Sequence, residues 1–251
     1  MYNFFVEEGA RSGDCFHITG KDYNHICNVL RMQIDDNFLV SCAGISFFCR
    51  IASIEDETVV AEIMEENYQN TELPVNFYLF QGLPKGDKLE LIIQKTVELG
   101  VTGIIPVEMK RCVMKVEEKK KKKKIERWQS IAESAAKQSK RNIIPEVYDI
   151  MTYKQAMAKV AEMDLFMVPY ENERGMEETK EALAKIKPGM SVGILIGPEG
   201  GFDDKEIELA REAGAHIISL GGRILRAETA AVTAMGLGML HVEMNLGSNA
   251  Q

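Results

Sequence analysis

Residues 194–202 read Ile194-Leu195-Ile196-Gly197-Pro198-Glu199-Gly200-Gly201-Phe202, an apolar run that breaks into a glycine-rich turn. Three strand-favouring side chains followed by glycine and proline predict a buried strand stopped by a tight loop. Asp203 and Glu206, just beyond, have the spacing of a capping box, so a helix over 203–213 opens directly after the turn. Strand, turn and helix in immediate succession form the building unit of an α/β fold.

Such a turn brings bare main-chain N–H and C=O groups against a small ligand. It is not G-x-G-x-x-G, and it has neither the lysine nor the Ser/Thr of a P-loop. Glu199 would repel a pyrophosphate, which favours a neutral or cationic ligand such as S-adenosylmethionine. A left-handed turn that only joins strand to helix accounts for the same residues equally well.

A second turn has the same construction. Ile217-Ile218-Ser219-Leu220 reads as a strand, Gly221-Gly222 as a turn, and Arg223-Ile224-Leu225-Arg226 leads into a helix at Ala227-Glu228-Thr229-Ala230-Ala231. Turns at consecutive strand ends are expected to lie side by side and form one pocket. Arg223 and Arg226 would then stand at its mouth, placed to meet a phosphate or a developing negative charge. The alternative is that Arg226 and Glu228 pair with other protein groups. The Ala- and Gly-rich helix that follows reads as a close-packing surface.

Outward from these turns the pattern continues. Strands are expected at 75–80, 104–107, 165–169, 192–196 and 216–220, and helices at 87–99, 117–139, 176–186 and 227–243. Leu89, Ile92, Ile93, Thr96 and Val97 lie on one face of the first helix, which Gly100 terminates. The alternation predicts a mainly parallel sheet of about five strands covered on both faces, with ligands at the strands' carboxyl ends. Before residue 70 the pattern differs: β-rich runs at 38–41, 45–51 and 58–63, with one short helix over 23–30, predict a small barrel. The boundary falls near Asn70-Thr71-Glu72-Leu73-Pro74, giving domains 1–70 and 73–251.

The chain has 251 residues, 45% hydrophobic and 27% charged, the balance of a soluble globular protein. No window approaches the roughly 18 apolar residues of a membrane span, and the start lacks a basic stretch before an apolar one. A cytoplasmic protein without a membrane partner is expected. Five cysteines without a C-x-x-C pair and four histidines without ligand spacing argue against disulfides and against a metal.

Net charge is −8, but residues 110–141 hold 13 basic against 4 acidic residues. A strongly cationic segment in an acidic chain suggests a phosphate-tracking surface, although a solvated lysine-rich helix start would look the same. Lys119–Lys124 read as nonspecific; Gln138, Lys140 and Arg141, with Arg111, are the better-placed candidates for RNA. Lys85 and Lys88, in Gln81-Gly82-Leu83-Pro84-Lys85-Gly86-Asp87-Lys88, are further candidates, as are His25 and Arg31 of the small domain.

Five stretches, in order along the chain, resemble the RsmE family of SPOUT methyltransferases. They are His25-Ile26-Cys27-Asn28-Val29-Leu30-Arg31-Met32, Ile93-Gln94-Lys95-Thr96-Val97-Glu98-Leu99-Gly100-Val101, Gln138-Ser139-Lys140-Arg141-Asn142-Ile143-Ile144-Pro145-Glu146, Ile196-Gly197-Pro198-Glu199-Gly200-Gly201, and Leu220-Gly221-Gly222-Arg223-Ile224-Leu225-Arg226-Ala227-Glu228-Thr229-Ala230. The last two are specific. The resemblance implies an α/β protein: a small N-terminal PUA-like β-barrel, then a SPOUT α/β knot domain. It implies S-adenosylmethionine held by three loops, with Pro169 and Tyr170 in the first. Ile196, Gly197, Pro198, Glu199, Gly200 and Gly201 form the second, and Leu220, Gly221, Ile224 and Leu225 the third, with Thr229 at the start of the final helix.

The implied reaction is methylation of uracil N3 in 16S ribosomal RNA, free or in the small ribosomal subunit, by a homodimer. Arg226 would stabilise negative charge on the uracil carbonyls. Glu228 would either accept the proton or orient Arg226, and Arg223 would meet the RNA. Methylation of a ribose 2′-hydroxyl and a non-catalytic RNA-binding module are the rival readings; a nucleotide-binding enzyme is disfavoured by Glu199 and the missing lysine.

Overall fold

The computed structural model describes residues 1–247. Its first unit contains residues 1–72 together with 136–143, a segment that a single division of the chain leaves out. Its elements are β1 (Asn3–Phe5), β2 (Arg11–Ser12), β3 (Cys15–Ile18), α1 (Gly20–Asn24), β4 (Asn37–Cys42), β5 (Ile45–Glu55) and β6 (Thr58–Glu66). They form one six-stranded sheet in the order β1-β4-β5-β6-β3-β2, antiparallel except where β1 runs along β4. Alternating side chains turn Phe4, Phe16, Phe38, Phe47 and Ile51 into a single core. Two register shifts in β5, at Phe48/Cys49 and Ile51/Ser53, bend this longest strand around that core. The acidic turn is a two-residue hairpin, with Asp56 and Glu57 both at positive φ (48° and 56°), the twist that a right-handed hairpin needs.

The short helix expected over 23–30 starts earlier, at Gly20, and changes at His25 to a π-helical turn over His25–Val29. His25 packs edge-on to Phe4, ring centroids 5.9 Å apart. Arg31, just beyond, is exposed with φ 55°.

Arg141 corrects the sequence reading. Its side chain is only 3% exposed and pairs with Glu72 at 2.5 Å, while its carbonyl accepts from Asn3 Nδ2 and Ser41 Oγ. A guanidinium buried against a carboxylate serves packing, not RNA. Gln138 and Lys140 are exposed.

The second unit contains residues 73–135 and 144 onward. Its elements are β7 (Asn76–Gly82), α2 (Lys88–Glu98), β8 (Val101–Glu108), α3 (Glu118–Ser139, whose last residues belong to the first unit), β9 (Glu146–Val147), β10 (Met151–Thr152) and α4 (Tyr153–Val160). There follow β11 (Leu165–Pro169), α5 (Glu177–Ala184), β12 (Ser191–Ile196), α6 (Asp204–Glu212), β13 (His216–Ile218) and α7 (Ala227–Leu246). The sheet runs β10-β8-β7-β12-β11-β13, with β9 also on β8, and every pair is parallel.

β12 lies between β7 and β11, covered on both sides, so Val192–Ile196 is an unbroken buried run rather than an alternating one. Gly193 admits the Phe166 ring, which would lie 2.3 Å from a Cβ there. Phe80, Val107, Tyr153, Phe166, Leu195, Phe202 and Ile207 fill one face of the sheet. α2 buries Leu89, Ile92, Ile93, Thr96 and Val97, the stripe its periodicity predicts, and packs on α7. Gly238 lets α7 approach the Phe77 ring, 2.9 Å from where a Cβ would be, as a close-packing surface requires. No helix among the described residues is long and apolar enough to cross a membrane.

Candidate functional site

β12 delivers the first glycine turn, which closes on itself through Gly201 N–H donating to Pro198 O at 2.9 Å. Gly201 adopts φ 66°, the left-handed region in which glycine avoids the Cβ penalty, and a Cβ there would also meet Glu171 Oε1 at 3.0 Å. The helix after it is capped as its sequence predicts: Asp203 accepts from Lys205 N–H and Glu206 from Asp203 N–H. The loop after β8 braces the turn. Arg111 Nη1 donates to Gly200 O at 3.2 Å, and Lys110 Nζ lies 2.7 Å from Asp203 Oδ2. That bond holds the Asp203 carboxyl below its ordinary value. Arg111, expected to meet RNA, is exposed beside the turn and holds it by its bond to Gly200 O.

Glu199 lines the cavity and has protein partners of its own. Its two oxygens accept from Lys85 N–H at 3.0 and 3.2 Å, and Oε1 lies 3.0 Å from Lys88 Nζ. Burial pushes this carboxyl up, but bonds from its own amide, Lys88 and the Lys85 amide outweigh burial and hold it below the usual carboxylate range. Lys88 is a correction too: its ammonium meets Glu199 and Glu228, not a polyanion. Glu228 correspondingly faces Lys88, at 3.3 Å, and not Arg226.

The second turn follows β13. Thr179 of α5 anchors it, donating to Ser219 O at 2.8 Å and accepting from Ser219 N–H, and Ser219 Oγ accepts from Gly221 N–H. Gly221 has φ 101° and nothing within 4 Å of a Cβ position, so it leaves its main chain open to a ligand. Arg226 is the N-cap residue of α7, exposed and making no side-chain cap bond.

These turns do not come from neighbouring strands, as the sequence suggested: β11 lies between β12 and β13. Chain order could not reveal this, because β11 precedes β12 yet pairs outside it. Pro169, which ends β11, with Tyr170 and Glu171 after it, thus supplies a wall of its own, Tyr170 edge-on to Phe202 at 6.2 Å. All three segments line one cavity of about 410 Å³. Pro169, Tyr170, Ile196, Gly197, Pro198, Glu199, Gly201, Leu220, Gly221, Ile224 and Leu225 line it with Arg223 and Arg226; Gly200 and Thr229 do not. Gly200 lies over Arg111, and Thr229 is exposed on α7.

Sequence reasoning missed Glu171, Phe202, Ala227 and Ala230, and it missed the cavity role of Lys88. Only Phe202 had a signal, as the apolar residue ending the first turn. The lining combines turn main chain, the apolar Leu220, Ile224, Leu225 and Phe202, and the Glu171 carboxylate. Lys88 is already neutralised by two carboxylates. The turn main chain, apolar face and Glu171 fit the base and sulfonium of S-adenosylmethionine, and Arg223 and Arg226 lie in the wall beside them.

On α3, Trp128, Ala132 and Ala135 are buried as the apolar face, and Lys122 and Lys123 are exposed. Several neighbours pair locally, Lys120 with Glu117 and Lys121 with Glu118. Exposed pairs of this kind are worth little and exchange readily for phosphates.

A family profile described as "RNA methyltransferase domain" matches residues 71–239, and one described as "RNA methyltransferase PUA domain" matches residues 18–64. Ribosomal RNA small subunit methyltransferase E of Bacillus subtilis is 38% identical over 98% of this chain and 99% of its own length. The protein of the same name from Mesomycoplasma hyopneumoniae is 33% identical over 92% of this chain and 96% of its own. The crystal structure of the Neisseria gonorrhoeae protein of that name, bound to S-adenosylmethionine, superposes with a TM-score of 0.80 at 33% identity, covering 94% of this chain and 96% of that one.

Proposed function

We propose that this chain, which belongs to the RsmE family of SPOUT RNA methyltransferases, uses S-adenosylmethionine to methylate N3 of one uracil in 16S ribosomal RNA. The observation that carries the reading is the convergence of both glycine turns and the loop after β11 on one cavity with two arginines in its wall. The main chain of 197–201 and 220–225, with Tyr170 and Glu171, would hold the cofactor. When bound, it supplies an electrophilic methyl group on a sulfonium.

Uracil N3 carries a proton and becomes a nucleophile only once that proton leaves to solvent. Arg226, in the cavity wall, would stabilise the negative charge that then spreads to the carbonyl oxygens. Holding acceptor and methyl in line supplies a further large part of the rate. Arg223, exposed beside it, suits the backbone of a uridine splayed from its stack. The lysines of α3 suit phosphates at a distance.

The name shared by the relatives supports small-subunit ribosomal RNA as the substrate. The reading also makes the enzyme a cytoplasmic homodimer; exposed Leu240 and Met244 on α7 support an apolar partner face. The test is to incubate small ribosomal subunits lacking the mark with enzyme and labelled S-adenosylmethionine, digest the RNA to nucleosides and separate them by mass spectrometry. Label in 3-methyluridine is expected; label in a 2′-O-methylated nucleoside, or none, overturns it.

A further inference from the structure

Lys88 opens α2, yet its ammonium belongs to the cavity. Nζ lies 3.0 Å from Glu199 Oε1, in the turn after β12, and 3.3 Å from Glu228 Oε2, in the first turn of α7. Three segments far apart in sequence therefore meet at one atom. Glu228 Oε2 is buried and takes no hydrogen bond among the described residues, so the nearby ammonium is the charge that offsets it. The Glu199 hydrogen bond, and more weakly Glu228, raise the Lys88 ammonium above its ordinary value against the opposing effect of burial, which keeps it charged.

The other charged groups of the cavity are Glu171, after β11, and Arg223 and Arg226, before α7. Removing the ammonium would leave Glu228 without the charge that offsets it and Glu199 with main-chain N–H donors alone. Like charges near a group that must become an anion oppose its ionisation.

We propose that Lys88 is a positioning residue for methyl transfer: it ties the turn after β12 to the start of α7 and cancels carboxylate charge that would oppose loss of the uracil N3 proton. This rests on the reaction proposed above. The two parts have separate signatures. The tie fixes where Arg226 stands relative to the cofactor turn, and its loss lowers kcat. The charge sets the pH at which the bound uracil ionises, which a purely structural strut would not alter.

The experiment measures kcat against pH on small ribosomal subunits, with 3-methyluridine as readout, for wild type, Lys88→Met, Lys88→Arg and Glu228→Gln. Lys88→Met is expected to lower kcat at neutral pH roughly tenfold and to move the rising alkaline limb up by about one pH unit. Lys88→Arg restores most of both, and Glu228→Gln, which removes a negative charge, moves the limb down. A Lys88→Met limb that coincides with wild type, whatever its melting temperature, overturns the proposal, as does an arginine variant no better than methionine. Should Lys88→Met fail to fold, Glu228→Gln decides: a limb unmoved or moved upward overturns it. A wild-type enzyme that forms no 3-methyluridine refutes the reaction itself, before any variant is compared.

Discussion

The turn after β12 is braced along its length by neighbouring segments, whereas the turn after β13 is anchored at Ser219 and stands clear beyond it. Around Gly200 a Cβ would lie 3.0 Å from Arg111 Cβ and 3.1 Å from its carbonyl, and Glu199 is bonded by Lys85 N–H and Lys88. A Cβ at Gly221 or Gly222 would meet nothing within 4 Å, and Ile224 is 87% exposed. One wall of the cavity is thus rigid before any ligand arrives, while the other has room to adapt. Arg226 belongs to the adaptable wall and Lys88 to the rigid one, and the Lys88–Glu228 ion pair links the two.

The sharpest way to break this comparison is to remove the arginine. Arg226→Ala is expected to lower kcat by about 100- to 1000-fold, as loss of one transition-state donor does. Its melting temperature should stay near wild type, because the side chain is exposed and makes no cap bond.

A paired test sharpens it. Gly200→Ala should destabilise by about 1–2 kcal/mol, because the backbone of Arg111 must yield. Gly222→Ala, in open space without positive φ, should stabilise by about 0.5 kcal/mol through the unfolded chain. Thermal or urea denaturation reads both; equal effects would abolish the distinction between the walls.

The pH dependence of the rigid wall has a definite sign. Glu199, held below its unfolded value, contributes above that value and loses its contribution as pH falls through the folded one. Lys88, held above its unfolded value, contributes below that value and loses it as pH rises through the folded one. The loss of stability to urea in Lys88→Met should therefore be nearly constant from roughly pH 6 to 9, between the carboxylate and ammonium ranges. The smallest effect is expected at the surface: Lys122→Glu with Lys123→Glu should weaken RNA binding and lower its salt slope by about 1–2.

Much of this was legible in the sequence. The stripe of α2, the capping box at Asp203 and the two strand–turn–helix units follow from local periodicity and turn chemistry, which depend on neighbours along the chain. Arg141 and Lys88 were misread for one reason: a basic residue in a loop or at a helix end looks alike whether it faces solvent or a carboxylate. Glu72 lies 69 residues from Arg141, and nothing local couples them. Glu171 was invisible because a carboxylate after a strand carries no pattern, and only Gly201 above it gives it a place.

By itself, the sequence determined the α/β class, the two glycine turns and the residue types that a cationic, phosphate-free ligand requires. Tertiary structure alone decided that β11 separates β12 from β13, that a third loop walls the cavity, and which charges cancel. The physical reason is range: backbone conformation is set by side chains a few residues away. Strand order and ion pairing are set by burial and Coulomb energy between segments that only the completed fold brings together.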